Sequence, residues 1–174
     1  MAKARDIPGL DLQMPFGDAA RAAVAVRAEE LFEHAEGVLD TDDIERVHDM
    51  RVATRRLRAV LEVFAAAFDP DRHKDVLRDV KALADALGAR RDPDVHLEAL
   101  LALEDVMPEA DHAGLDVFAQ RLRVEQAQGN QVLARALEHV RASDLEGRLR
   151  RLLGEPEQAD ADEPVAGGAV EEPA

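Results

Sequence analysis

Cysteine, tryptophan and tyrosine are absent from the 174 residues, and five phenylalanines make up the whole aromatic content. Without cysteine there is neither a disulfide nor a thiolate site, which fits a reducing compartment. No apolar run approaches the roughly 18 residues of a membrane span, and the N-terminus lacks the apolar stretch of a secretory signal. The expectation is a soluble, cytoplasmic chain with no membrane partner. No HExxH, no phosphate-binding glycine array and no serine nucleophile elbow occurs, so motif-marked enzymes are not indicated and no cofactor is expected. An excess of basic residues is lacking too: Lys and Arg number 22 against 37 Asp and Glu, for a formal net charge of −15. That balance argues against a specific or general nucleic-acid binder.

What remains is a helix-former's alphabet, 47% hydrophobic and rich in Ala, Leu, Arg and Glu. The length suits one domain that buries roughly two thirds of its unfolded surface. Basic charge is unevenly spread. Residues 1–45 sum to −7, residues 46–91 to +4 and residues 92–174 to −12. A local positive field can therefore stand on an acidic body.

That field centres on HDMRVATRRLRAVLEVF, His48 to Phe64. At about 100° per residue, Met50, Ala53, Leu57, Val60, Leu61 and Phe64 share one arc, a core face. His48, Arg51, Arg55 and Arg58 share another, about 150° away. Arg51, Arg55 and Arg56 have no acid three or four positions distant, whereas Arg58 has Glu62. Unopposed like charges at helical spacing repel, which an external anion would relieve. From His48 to Arg58 is about 15 Å at helical rise, a length that suits a chain of phosphates better than one. A histidine changes charge within roughly pH 5 to 8, so contact between His48 and phosphate predicts tighter binding below neutral pH.

The periodicity predicts a helix from Gly17 or Asp18 to Leu39, with Glu29, Glu30, Glu33 and Glu36 as a solvated face. A second helix starts after Asp40 or Thr41 as N-cap, with Asp42 and Asp43 at its positive end, and ends near Phe68. A third runs from Asp71 to Leu87 and stops at Gly88. In it Lys74, Arg78 and Lys81 have Asp71, Asp75 and Asp85 as ordinary neighbours. Arg90-Arg91-Asp92-Pro93-Asp94 reads as a turn, with Asp92 as N-cap and Pro93 opening a fourth helix that ends before Pro108. A long helix follows from Asp111 to Ala142, with Gly129-Asn130 as a kink. Ser143 or Asp144 caps a last one to Leu153. The arginines of these two helices are expected at the surface. Domain boundaries follow: an irregular lead-in over 1–16 with no assigned function, a helical domain over 17–153, and a disordered acidic tail over 154–174.

VHDMRVATRRLRAVLEVF resembles the signature helix of the CHAD family, the conserved-histidine α-helical domains that bind inorganic polyphosphate. VKALADALGARRDPDVHLEALLAL, Val80 to Leu103, is similar to the same family's LG-x-x-RD-x-DV segment, with Arg91, Asp92, Asp94 and Val95 in the matching places. The resemblance extends to the first of the family's two helical units. It implies an all-α antiparallel helical bundle, a single CHAD-like unit, that binds polyphosphate without catalysis. His48, Arg51, Arg55, Arg56 and Arg58 would form the site, with Lys81 and Arg91 supporting. The resemblance also implies that a homodimer or a second CHAD-like unit completes a basic groove, and it allows association with polyphosphate granules.

Two other readings stand beside it. A helical docking module would use the basic stripe to hold an acidic protein. His48-Asp49 also looks like the HD dipeptide of metal-dependent phosphohydrolases, with His34, His73 and His96 as further ligands, although the arginines that follow would repel a divalent cation.

Overall fold

The structure is a computed structural model that describes residues 3–41 and 43–154. Asp42 and the expected acidic tail from 155 onward lie outside the described residues. Among the described residues five α-helices follow in order: α1 (Phe16–Glu33), α2 (Ile44–Val63), α3 (Pro70–Glu104), α4 (His112–Ala142) and α5 (Leu145–Leu152). Single 3₁₀ turns at Ala65–Ala67 and Glu109–Asp111 join α2 to α3 and α3 to α4. Among the described residues there is no strand, so the all-α class stands.

Every helix contributes to one core. Val24 and Leu31 come from α1, Met50, Leu57 and Leu61 from α2, Val80, Leu83 and Leu87 from α3, Leu133 from α4, and Leu145 and Leu149 from α5. The expected core arc of α2 is largely the observed one. Met50, Ala53, Leu57 and Leu61 are buried, and Val60 and Phe64 are half-buried beside them. Thr54 is also buried, its hydroxyl donating to Met50 O at 2.7 Å, which satisfies the side chain inside the core.

α1 ends six residues before the expected Leu39. Gly37 takes φ +70°, which reverses the chain and tucks Val38 into the core. Arg46 lies over this glycine, donating to Glu36 O at 3.2 Å and to Asp43 Oδ2 at 2.9 Å. Asp43, rather than Asp40 or Thr41, precedes α2, and it makes no side-chain capping bond. Glu30 also departs from the solvated face expected of it. It is buried, pairs with Arg27 at 2.7 Å and accepts the Arg5 N–H at 2.6 Å. Burial pushes its carboxyl up, but those two partners outweigh it and hold the group below the usual carboxylate range. The lead-in is thereby fastened along α1, with Arg5 also pairing with Glu29 and Glu33.

The expected third and fourth helices are one, 35 residues long, and they pass through both Gly88 and Pro93. Gly88 is no C-terminal stop, and Asp92 is exposed rather than capping. A proline inside a helix removes one hydrogen bond and costs about 3 kcal/mol, so something must offset it. Arg90 Nη1 donates to Asp94 Oδ1 at 2.5 Å, spanning the proline within α3. From α4, Gln126 Nε2 donates to the same Asp94 oxygen at 2.6 Å, and Asn130 Oδ1 accepts from Arg90 Nε at 3.2 Å. Asn130 Nδ2 in turn donates to Leu39 O at 3.0 Å, which ties in the α1–α2 reversal.

Gly129 is the close-packing point of this contact rather than a break in α4, which runs on as helix through it. A Cβ there would lie 2.7 Å from Ala89 O and 3.0 Å from Arg90 Cα. Ala89 O is the carbonyl whose helical partner would be the missing N–H of Pro93. Gly129→Ala should therefore destabilise the fold by about 1–3 kcal/mol through overpacking, even though alanine is the better helix former by about 1 kcal/mol. Chemical denaturation of the two proteins checks this, and a more stable alanine variant would contradict it.

Asp79 anchors the other end of α3. It meets Arg148 Nη2 of α5 at 2.5 Å, His139 of α4 at 3.7 Å and neighbouring Arg78 at 3.3 Å. Arg148 is thus half-buried rather than a surface residue. Asp144 caps α5 in a left-handed conformation, φ 49°, and accepts the Gly147 N–H at 3.1 Å. Burial raises the Asp79 carboxyl, but the Arg148 hydrogen bond and charge, then those of Arg78, bring it below its ordinary value. Stabilisation from a depressed carboxylate is complete above the unfolded-state pKa and lost as pH falls through the lower folded value. Asp79→Asn should thus cost about 1.5–3 kcal/mol near neutral pH. The gap from wild type should close in urea titrations below about pH 3.8; a constant gap would contradict this.

Candidate polyanion-binding face

α2 sets the site because its two faces are so unlike. The buried arc fixes the rotation of the helix, and His48, Arg51, Arg55 and Arg58 are left on the side away from it. Arg55 is exposed, and His48, Arg51 and Arg58 are half-buried. Arg51 and Arg55 form no ion pair or hydrogen bond with any described residue. Their guanidinium groups are planar, permanently charged forks whose donors suit phosphoryl oxygens.

Arg58 is opposed, as its spacing indicates, by Glu62 at 3.1 Å. The same Glu62 oxygen is 3.0 Å from Lys81 Nζ of α3, which takes this partner instead of the expected Asp85. Hydrogen bonds from Lys81 and then Arg58 hold the Glu62 carboxyl below its usual range. Glu62 therefore gathers cations from two helices at one end of the stripe. It also occupies donors that an incoming anion would otherwise take.

The remaining two candidates stand apart. Arg56 faces the α1 side, where its charge contributes to lowering Glu30. Arg91 lies ten residues beyond Lys81 on α3, about 15 Å along the helix. Its side chain is only 12% exposed and reaches Glu98 at 3.4 Å, while its Nη1 is buried with no hydrogen-bond partner among the described residues. The structure thus brings Arg58 and Lys81 together beside Arg51 and Arg55, and leaves Arg56 and Arg91 on separate flanks.

Glu62 as a bridge was half legible: its spacing from Arg58 is helical, but its contact with Lys81 joins residues 19 apart. Among the described residues no three His, Asp or Glu side chains gather so as to hold a metal ion. His73, one ligand considered for such a site, instead has Nε2 2.9 Å from Leu61 O in the core.

The family model described as the CHAD domain matches residues 22–172. The chain belongs to the CHAD family. Both blocks that carry the resemblance, in α2 and in α3, lie inside the matched span of this CHAD domain. No curated protein and no solved structure matches the chain. No helix of this CHAD domain, among the described residues, is long and apolar enough to cross a membrane.

Proposed function

We propose that this CHAD domain binds inorganic polyphosphate without catalysis, gripping successive phosphoryl groups along α2. The observation that carries this reading is the pair Arg51 and Arg55, unopposed among the described residues beside the Arg58–Glu62–Lys81 cluster. A phosphate chain offers closely spaced negative charge over the stripe's length and removes the repulsion between its arginines. His48 joins as an additional contact, and Arg56 and Arg91 give longer-range positive potential. The acidic remainder of the molecule discourages unselective polyanion contact. Two copies with their stripes facing each other would restore a basic groove that grips one stretch of phosphate chain from both sides, and the working place of such a protein is the cytoplasm, where polyphosphate granules are a binding surface.

Competition between labelled long-chain polyphosphate and duplex DNA tests the reading. The expected result is polyphosphate binding that an excess of DNA phosphate fails to displace. A folded protein that ignores polyphosphate, or exchanges it freely for DNA, contradicts the proposal. The first of those outcomes favours an acidic protein as the stripe's partner. Light scattering at binding concentrations checks the paired arrangement, for which a strictly monomeric complex is the opposing result.

A further inference from the structure

Among the described residues the common core ends on α3 at Leu87 and begins on α4 at Leu133, so the stretch of both helices between these positions lies outside it. Arg90 meets Asn130, and Asp94 meets Gln126. Each four-residue step forward on α3 is matched by four backward on α4, so the two run in opposite directions here. The α1–α2 reversal is hydrogen-bonded to this pair at Asn130, through Leu39 O. Beyond Arg90, α3 continues for 14 residues, about 21 Å at helical rise.

On this arm the seam between α3 and α4 stays closed, with Ala119 and Leu122 buried, whereas large apolar side chains beside the seam are open. Leu101 lies two turns past buried Asp94 on the same face of α3, and Phe118 lies three turns before buried Gly129 on the same face of α4. The register above sets Leu101 level with buried Ala119, one residue from Phe118. Leu101 and Phe118 are 55% and 56% exposed, and Val106 and Val117 at the same end are 78% and 72% exposed. Open apolar side chains at this density mark an interaction surface.

Charge identifies the occupant. From Asp92 to Gln120 there is no Lys or Arg, and Glu104, Asp105, Glu109, Asp111 and Asp116 surround the tip. A second copy of the arm would bring these acids against their equivalents, at a cost for every close pair. We infer that the α3–α4 arm is a docking surface for a basic, amphipathic helical segment of another protein, whose apolar side covers Leu101 and Phe118 and whose cations meet the acidic tip. The polyanion-binding face and this arm are independent sites of opposite sign, so one molecule can connect a polyanion to a basic protein.

A labelled amphipathic Leu/Lys peptide with leucines at helical spacing is the probe, and a scrambled peptide of the same composition is its control, both titrated with the full chain. Binding of the amphipathic peptide should be at least about tenfold tighter than that of the control, and about tenfold weaker for Leu101→Ser/Phe118→Ser. Val106→Ser/Val117→Ser, at more exposed positions that the fold does not need, should weaken it in the same direction. Glu104→Gln/Asp105→Asn/Glu109→Gln should weaken it and flatten its salt dependence, whereas Arg51→Glu/Arg55→Glu should not weaken it. Equal binding of both peptides, or none, overturns the inference. So does self-association in light scattering that Leu101→Ser/Phe118→Ser abolishes, because the occupant would then be a second copy.

Discussion

Polyphosphate affinity should fall by roughly 10²–10⁴-fold when Arg51 and Arg55 are both replaced by Glu, with helicity and thermal stability unchanged. Hydrogen bonds to charged groups contribute about 1.5–3 kcal/mol each, and two such contacts are lost together. Reversal adds two negative charges facing a polyanion. The fold should be indifferent because neither side chain is in the core and neither has a partner among the described residues. Isothermal titration with circular dichroism on the same samples separates the two effects. Arg58→Glu should cost less than either reversal at Arg51 or Arg55, because Arg58 is already shared with Glu62. A variant that binds within a few-fold of wild type would remove α2 as the site.

Asp94→Ala should be the most damaging single change, costing roughly 3–5 kcal/mol. Arg90 and Asp94 have fully buried side chains, so loss of the carboxylate leaves a guanidinium with no countercharge in the interior. Gln126 loses its acceptor as well. Against a total stability of about 5–15 kcal/mol for a domain, that is enough to lower the urea midpoint substantially. Replacement of both members by apolar residues, Arg90→Met with Asp94→Leu, should recover much of the loss, since buried pairs repay their desolvation poorly. Asn130 and Gln126 would still lack partners, so recovery should be incomplete. A loss below about 1 kcal/mol for Asp94→Ala would mean that this pair does not hold α3 across Pro93.

The same pair explains why part of the fold was legible in the sequence and part was not. Along α2, local pattern and tertiary structure agree: the apolar arc spaced for a helix is the buried one, and the stripe opposite it stays outside. Local capping likewise gives α5, where Asp144 accepts the N–H three residues on. In α3 the local signals point the wrong way. Gly88 and Pro93 are ordinary helix breakers, and they are overruled by Gln126, Gly129 and Asn130, some 30 to 40 residues distant in sequence. Nothing in local periodicity carries that information. Glu30 is a similar case, because its burial depends on Arg5 from the lead-in. Lys81 is another, since a residue on α2 displaces the nearer Asp85 as its partner. Of the candidate site, the positions of Arg51, Arg55 and Arg58 follow from spacing alone, whereas the sharing of Glu62 and the seclusion of Arg91 required the packed helices.

The salt dependence of polyphosphate affinity, compared between wild type and single Arg→Ala variants at positions 51, 55 and 58, tests the central claim most directly. Each phosphate contact releases counterions, so log affinity falls linearly with log salt, at about 0.7 per neutralised charge on a single chain. The account predicts a steep wild-type slope that drops by close to one such increment for Arg51→Ala and for Arg55→Ala, and by less for Arg58→Ala. A wild-type slope near zero, or slopes that none of the three substitutions changes, would contradict it.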